Sequence, residues 1–379
     1  MANATVASSL PPLPAYETRP YPDVLPFISD FWLSLVLPHI AYWVMSAIFH
    51  IIDIYDLFPQ YRLHTPEEIT QRNLASRYEV FRDVIFEQIL QVGMSAFLSL
   101  TEERQQTGME DYDVAVWATR IRIAQRALPT ILGVLGLNAA TISKNMASTY
   151  PLLAGALAGG HYPFLTTALD GMTGTAVPTF ATWEILLAKA MYWVVVPTFQ
   201  MWLAVCFLDT WQYFWHRAMH VNKWMYTKWH ARHHRLYVPY AYGALYNHPV
   251  EGFLLDTVGA GLAYKASFLT PRMGMAFFVG SMMKTVDDHC GYKLPWDPLQ
   301  HITSNNAAYH DIHHQSWGIK TNFSQPFFTI WDRLLGTRWE GDAQQKYERT
   351  RTAASQKKAA ASSSTAAAKP SPAEIAKAE

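Results

Sequence analysis

The sequence predicts an all-α fold: a polytopic membrane helical bundle carrying a histidine-rich cap. Three observations carry that expectation. Two long apolar runs, residues 27–54 and 183–208, each reach the roughly 20 residues that a helix needs to cross hydrocarbon. Half of the 379 residues are apolar, 16% are charged and 14% are aromatic, which suits a surface that faces lipid with aromatic rings at its interface. Histidines recur at helical spacing: His216 and His220 at i and i+4, then His230, His233 and His234, then the same spacing again at His310, His313 and His314.

Composition also excludes classes. Formal net charge is zero, so no basic field points to nucleic acid as partner. Two cysteines, Cys206 and Cys290, make neither a disulfide framework nor a thiolate metal site. Any metal must be held by imidazole. The first 26 residues, with six prolines, lack a basic stretch followed by an apolar core, so no cleavable signal peptide is expected. Asn3 opens a glycosylation sequon, meaningful only if this end is lumenal.

In chain order, residues 1–26 are expected as a mobile lead-in and residues 27–182 as a membrane and amphipathic region. Residues 183–340 are expected to form the domain that carries the histidine motifs, and residues 341–379 a disordered Ala/Ser/Lys tail. Pro38 should kink the first span, in which His39 and His50 are polar exceptions. A helix near residues 80–100 carries Glu87 and Gln88 and reads as interfacial or packed in the bundle. Residues 128–180 show no nameable chemistry. The second span, interrupted by Lys189 and Pro197, runs straight into His216, and Lys223, Lys228 and Arg232 follow it. By the positive-inside tendency, that face is cytosolic. Residues 253–283, broken at Lys265 and Pro271, fit two short helices better than one span, with Gly259 and Gly261 allowing close approach.

Eleven of the fifteen histidines fall between His216 and His314, where an even spread would place about four. Eight lie in the three motifs; His289 and His248 are further candidates. Ten imidazoles exceed the four to six ligands of one ion and suit two. Imidazole accepts zinc, copper, iron and nickel alike, so affinity does not choose. A nitrogen-rich pair with open positions suits O₂ activation by two irons; zinc could only polarise or hydrolyse. Asp209 and Asp311 are candidates for orienting ring N–H groups.

The segments Trp215-His216-Arg217, His230-Ala-Arg-His233-His234, Asn247-His248-Pro249-Val250-Glu251, His289-Cys290-Gly291 and His310-Asp311-Ile312-His313-His314 resemble the fatty acid hydroxylase superfamily. That resemblance implies a membrane enzyme with a non-haem diiron centre in a cytosol-facing cap. A narrower set, including the run from Gly243 to Asp256 and the run from Asp287 to Pro298, is similar to the fungal sphingolipid 4-hydroxylases. This second resemblance implies O₂-dependent conversion of sphinganine, free or as dihydroceramide, to phytosphingosine. It also implies the endoplasmic reticulum membrane, and electrons from NAD(P)H through cytochrome b5 and its reductase.

On that expectation, Glu251, Asp287 or Asp288 would pair with the substrate amine. Two alternatives stay open from the residues. One is a desaturase or sterol methyl oxidase of the same superfamily; the other is a non-enzymatic zinc-binding membrane protein.

Overall fold

A computed structural model describes residues 10–168 and 176–367, so Asn3 and the last twelve residues lie outside the described chain. The described residues are mostly helical, with two small antiparallel strand pairs: Arg19–Pro20 with Gln106–Thr107, and Thr166–Ala168 with Ala176–Pro178. The chain divides into two compact units. One comprises Met1–Pro22 and Glu103–Gln200; the other comprises Asp23–Glu102 and Met201–Glu379. Residues 27–102 therefore fold with the histidine-bearing chain, a division that the sequence boundary at residue 182 does not follow.

Among the described residues, two helices are long and apolar enough to cross a membrane, Asp30–Ile54 and Thr182–Val221. On Asp30–Ile54, Ile40, Val44, Ile48 and Ile51 are exposed on one stripe, while Tyr42, Ser46, Phe49 and Ile52 are buried on the other. Both stripes repeat every three to four residues, so one face suits lipid and the other suits protein. The helix runs on through Pro38. Thr182–Val221 also continues past its proline. A π turn, Met191–Val195, ends immediately before Pro197, with the Val196 amide bonded to the Met191 carbonyl. Widening the turn accommodates a residue that can neither donate to the preceding turn nor fit tightly against it.

In the larger unit, Asp30–Ile54 packs on the Pro271–Asp288 helix. Their core gathers Tyr42, Phe49, Val80, Val84, Leu245 and Val286. A second cluster joins Ala204 and Leu208 to Ala263, Leu269 and Phe277. The expected pair of short helices is present as Gly259–Ala266 and Pro271–Asp288. Gly259 lies so close to Trp211 that a Cβ would sit 2.5 Å from its ring, whereas Gly261 has no such neighbour.

Polar segments then tie the histidine motifs in place. Asn73 exchanges two hydrogen bonds with Val238, donating to its carbonyl at 2.9 Å and accepting from its amide at 2.8 Å. The Leu74 amide donates to the Arg235 carbonyl at 2.8 Å. Where composition predicts a disordered tail, Ala343–Ala367 is helical. Ala, Gln, Lys, Glu and Arg are all good helix formers, and low complexity does not oppose a helix.

The smaller unit has its own core of Val114, Ala118 and Ala188. Beside it Arg122 and Glu184 form a buried ion pair, with Arg122 Nε donating to Oε1 at 2.7 Å. Gln125 also donates to Glu184, at 2.6 Å, and accepts from the Tyr162 hydroxyl at 2.7 Å. The stretch that carried no reading from sequence contains three short helices: Leu128–Val134, Ala139–Met146 and Pro151–Leu157.

Candidate metal centre

His216 and His220 stand one turn apart at the end of Val196–Val221, so their rings leave the same face. His310, His313 and His314 lie on the Ala307–His314 helix, started by Asn306, whose side chain accepts from the Tyr309 amide at 3.0 Å. His230, His233 and His234 occupy a 3₁₀ turn, His230–Arg235, rather than an α-helix. His289 caps the C-terminus of Pro271–Asp288.

These nine rings, all buried, fall into two groups. His216, His220, His230, His234 and His313 form one; His233, His289, His310 and His314 form the other. Each His-x-x-His-His motif is therefore divided rather than presenting one face. The i, i+4 pair His230 and His234 joins the first group and sends His233 to the second. The pair His310 and His314 joins the second and sends His313 to the first. The motifs exchange their middle ligand, which locks the two groups together.

The Nε2 atoms of the rings face one another. In the first group His216 lies 3.0 Å from His230 and 3.3 Å from His220, and His234 lies 2.9 Å from His230. In the second, His310 is 3.1 Å from His289 and 3.2 Å from His314. Two nitrogens bound to one ion at about 2.1 Å stand about 3.0–3.4 Å apart at octahedral or tetrahedral angles. The spacing is that of ligands around an ion.

Protonation makes the same point. The Nδ1–H of His216 donates to the Phe323 carbonyl at 2.8 Å, His313 to Thr321 at 2.7 Å, His314 to Leu236 at 2.9 Å and His289 to Thr285 at 2.8 Å. His233 donates to Tyr246 at 3.2 Å, and His230 donates to the Glu251 carboxyl. A carbonyl can only accept, so Nδ1 carries the proton and Nε2 keeps its lone pair. Burial holds the rings neutral: it pushes His230, His233 and His289 down to about 3, neighbouring rings adding to the effect at His233 and His289. Lone pairs then point at lone pairs, and His313 Nε2 has no hydrogen-bond partner at all. Cations at the two foci would resolve the arrangement; a dry imidazole core would not.

A cleft opens onto this site, lined by His216, His230, His233, His289 and His310 and by Gln212, Asn247, Glu251, Asp256 and Asp288.

Residues 201–337 match the fatty acid hydroxylase family. A sphingolipid C4-hydroxylase of Saccharomyces cerevisiae is 41% identical over 364 residues, covering 92% of this chain and 88% of its own length. The chain belongs to the fatty acid hydroxylase family. A sphinganine C4-monooxygenase of Arabidopsis thaliana is 36% identical over 310 residues, covering 82% of the chain and 88% of its own length. Shorter similarity extends to a very-long-chain aldehyde decarbonylase of Oryza sativa, 56% identical over 144 residues, or 38% of the chain and 56% of that protein. No solved structure matches. The chain is accordingly a hydroxylase, an enzyme of the monooxygenase class, and its apolar helices fit a membrane protein.

The geometry revises several residues of this hydroxylase. His248, expected as a ligand, stands outside both groups: it is the N-cap of Pro249–Gly252, and its Nδ1 accepts from the Val250 amide at 3.2 Å. The proline that follows starts a helix, and capping its amides turns the ring away. Asp209 touches no histidine; its carboxylate accepts from the amides of Phe327 and Phe328, at 3.0 and 2.7 Å. Asp311 likewise orients no ligand ring. It accepts from His64 at 3.0 Å and from the Tyr347 hydroxyl at 2.6 Å. The carboxyl that does hold a ligand ring is Glu251, on His230. Asp288 pairs with Lys284 and accepts from Asn305 at 3.0 Å, and Asp287 accepts from Gln300 at 2.6 Å.

Two residues emerge only in three dimensions. His64 is buried and bridges Glu68, at 3.1 Å, to Asp311. Burial alone would lower its pKa, but Asp311 and Glu68 override that and hold it up at about 9. Asp256 sits in the π turn Phe253–Val258, on the wall of the cleft; burial first, then Glu251, pushes it up to about 7. A lone histidine before Thr65-Pro66 and an aspartate in an apolar run carry no spacing that would have marked them.

Proposed function

We propose that this hydroxylase inserts one oxygen atom of O₂ at C4 of sphinganine, free or within dihydroceramide, yielding phytosphingosine. The observation that carries the reading is the paired five- and four-histidine arrangement, in a chain similar along nine-tenths of its length to a sphingolipid C4-hydroxylase. Two iron ions, held by His216, His220, His230, His234 and His313 and by His233, His289, His310 and His314, would supply the redox chemistry for an unactivated C–H bond. Overall, the C–H bond, O₂, two electrons and two protons give C–OH and water. NAD(P)H, through cytochrome b5 and its reductase, suits the electron supply. A multi-pass protein of the endoplasmic reticulum with this site on the cytosolic face fits the basic residues Lys223, Lys228 and Arg232 after the second span.

The chain's own part is positioning. Backbone carbonyls and Glu251 hold the outer N–H of six rings, keeping each inner nitrogen available and aimed. Burial of all nine rings keeps bulk water from a reactive site. The cleft takes the polar end of the lipid while its tail stays in apolar surroundings.

The test is expression in cells that lack phytosphingosine, under ¹⁸O₂, with mass spectrometry of the long-chain bases. A 4-hydroxy base carrying one labelled atom is expected. An unlabelled double bond would instead identify a desaturase. Purified protein holding zinc alone and consuming no O₂ would sink the enzymatic reading.

A further inference from the structure

Four buried carboxylates of the larger unit have a cation beside them, and Asp209 and Asp332 accept from backbone amides instead. Asp288 and Asp287 have Lys284, and Glu68 has Arg72 and His64. Asp311 also has His64. Glu87, Glu251 and Asp256 differ. Their charges act on one another, and no lysine or arginine pairs with any of the three among the described residues. Glu251 and Asp256 both line the cleft against His216, His230 and His233.

What surrounds Asp256 orients it without neutralising it. Gln212 donates to Oδ1 at 3.1 Å and Asn247 donates to Oδ2 at 3.3 Å. Both donors are uncharged amides. The Trp211 indole donates to the Leu254 carbonyl at 2.9 Å, which fixes the widened turn that carries Asp256. Independently, Glu251 spends only one oxygen on His230. Its other oxygen, Oε2, is buried with no hydrogen-bond partner, in a residue 1% exposed. A buried acceptor without a donor calls for one.

We propose that Asp256, together with Oε2 of Glu251, receives the protonated primary amine of a free long-chain base, so that the enzyme selects the free amino-diol over its N-acylated form. This rests on the reading of the enzyme as a sphinganine C4-hydroxylase and names the species it takes. An ammonium supplies the missing positive charge and three donors. An amide supplies one N–H and no charge, and it adds a carbonyl oxygen that the carboxylates would repel. The amine-bearing carbon is two bonds from C4, so an amine held here keeps C4 near the histidines that line the same cleft. Asp256 acts here as a positioning residue.

The test uses the full-length, iron-loaded protein in lipid nanodiscs under anaerobic conditions, where binding is read without turnover. Wild type should bind sphinganine about tenfold or more tighter than N-acetylsphinganine, and Asp256→Asn should lose that margin for sphinganine alone. Iron per chain should not change, and Asp256→Glu should restore part of the preference. Equal binding of the two lipids by wild type overturns the proposal, as does an equal loss for both in Asp256→Asn. Should the variant fail to accumulate, competition on wild type decides: octadecylamine should displace sphinganine and octadecanol should not, and equal displacement by both refutes the amine site. Failure of the reaction is separately visible, because wild type with amine-selective binding but no ¹⁸O-labelled product in air contradicts the hydroxylase assignment and not the amine site.

Discussion

Two buried polar clusters in this protein differ in completeness. Around Arg122 every charge is answered: guanidinium meets the Glu184 carboxylate, and Gln125 and Tyr162 take up the remaining valences. Around His230 six of the nine rings have their outer nitrogen answered, while the inner nitrogens converge on two points and meet only one another. The lesson is one of counting. A cluster that satisfies itself organises the fold, whereas a cluster satisfied on its outside and unsatisfied on its inside is built around something it binds.

The sharpest way to break this contrast is to remove an inner acceptor. His233→Ala or His313→Ala should abolish product, measured as 4-hydroxy base by mass spectrometry, while the protein still fractionates with membranes. Normal hydroxylation in either variant would refute the ligand assignment. At the self-satisfied cluster the loss should be of stability instead. Arg122→Ala strands the Glu184 charge and should destabilise by about 3–5 kcal/mol in a denaturation series. The fraction that remains folded should retain its full iron content.

Glu251→Gln probes the outer layer of the histidine site. It keeps the shape but weakens the hold on His230, so iron affinity should fall about 10–100-fold by chelator competition. The smallest effect concerns His64, whose pKa is raised. A raised folded-state pKa contributes stability that is fully present below about 6.5 and is lost as pH rises through about 9. Melting temperature should decline across that window and be flatter in His64→Gln. The decline is modest because Arg72 stays beside Glu68, and Gln315 and Tyr347 stay beside Asp311.

Spacing made eight of the ligand candidates legible, since i, i+3 and i+4 histidines are rare as packing and natural as ligands, while His289 and His248 were added as single histidines within the same region. Sequence reasoning also misled at two points. It assumed an α-helix at His230–Arg235, and it admitted His248 because a histidine before a proline reads the same whether it caps a helix or binds an ion. Asp209 and Asp311 were singled out as acids close in sequence to the histidine motifs, and were given the wrong partner. Their carboxylates secure the Phe327 and Phe328 backbone and the His64 bridge. His64 and Asp256 were invisible because their meaning lies in neighbours from other segments.

By itself, the sequence determined the helical class, the two apolar spans and the eight histidines of the three spaced motifs. Those properties are local: hydropathy over about 20 residues and a period of about 3.6 need no partner to be read. Tertiary structure alone decided how the nine divide into five and four, which carboxyl holds a ring, and which acid is left without a cation. These are relations between segments brought together by burial, and only the folded chain sets their distances.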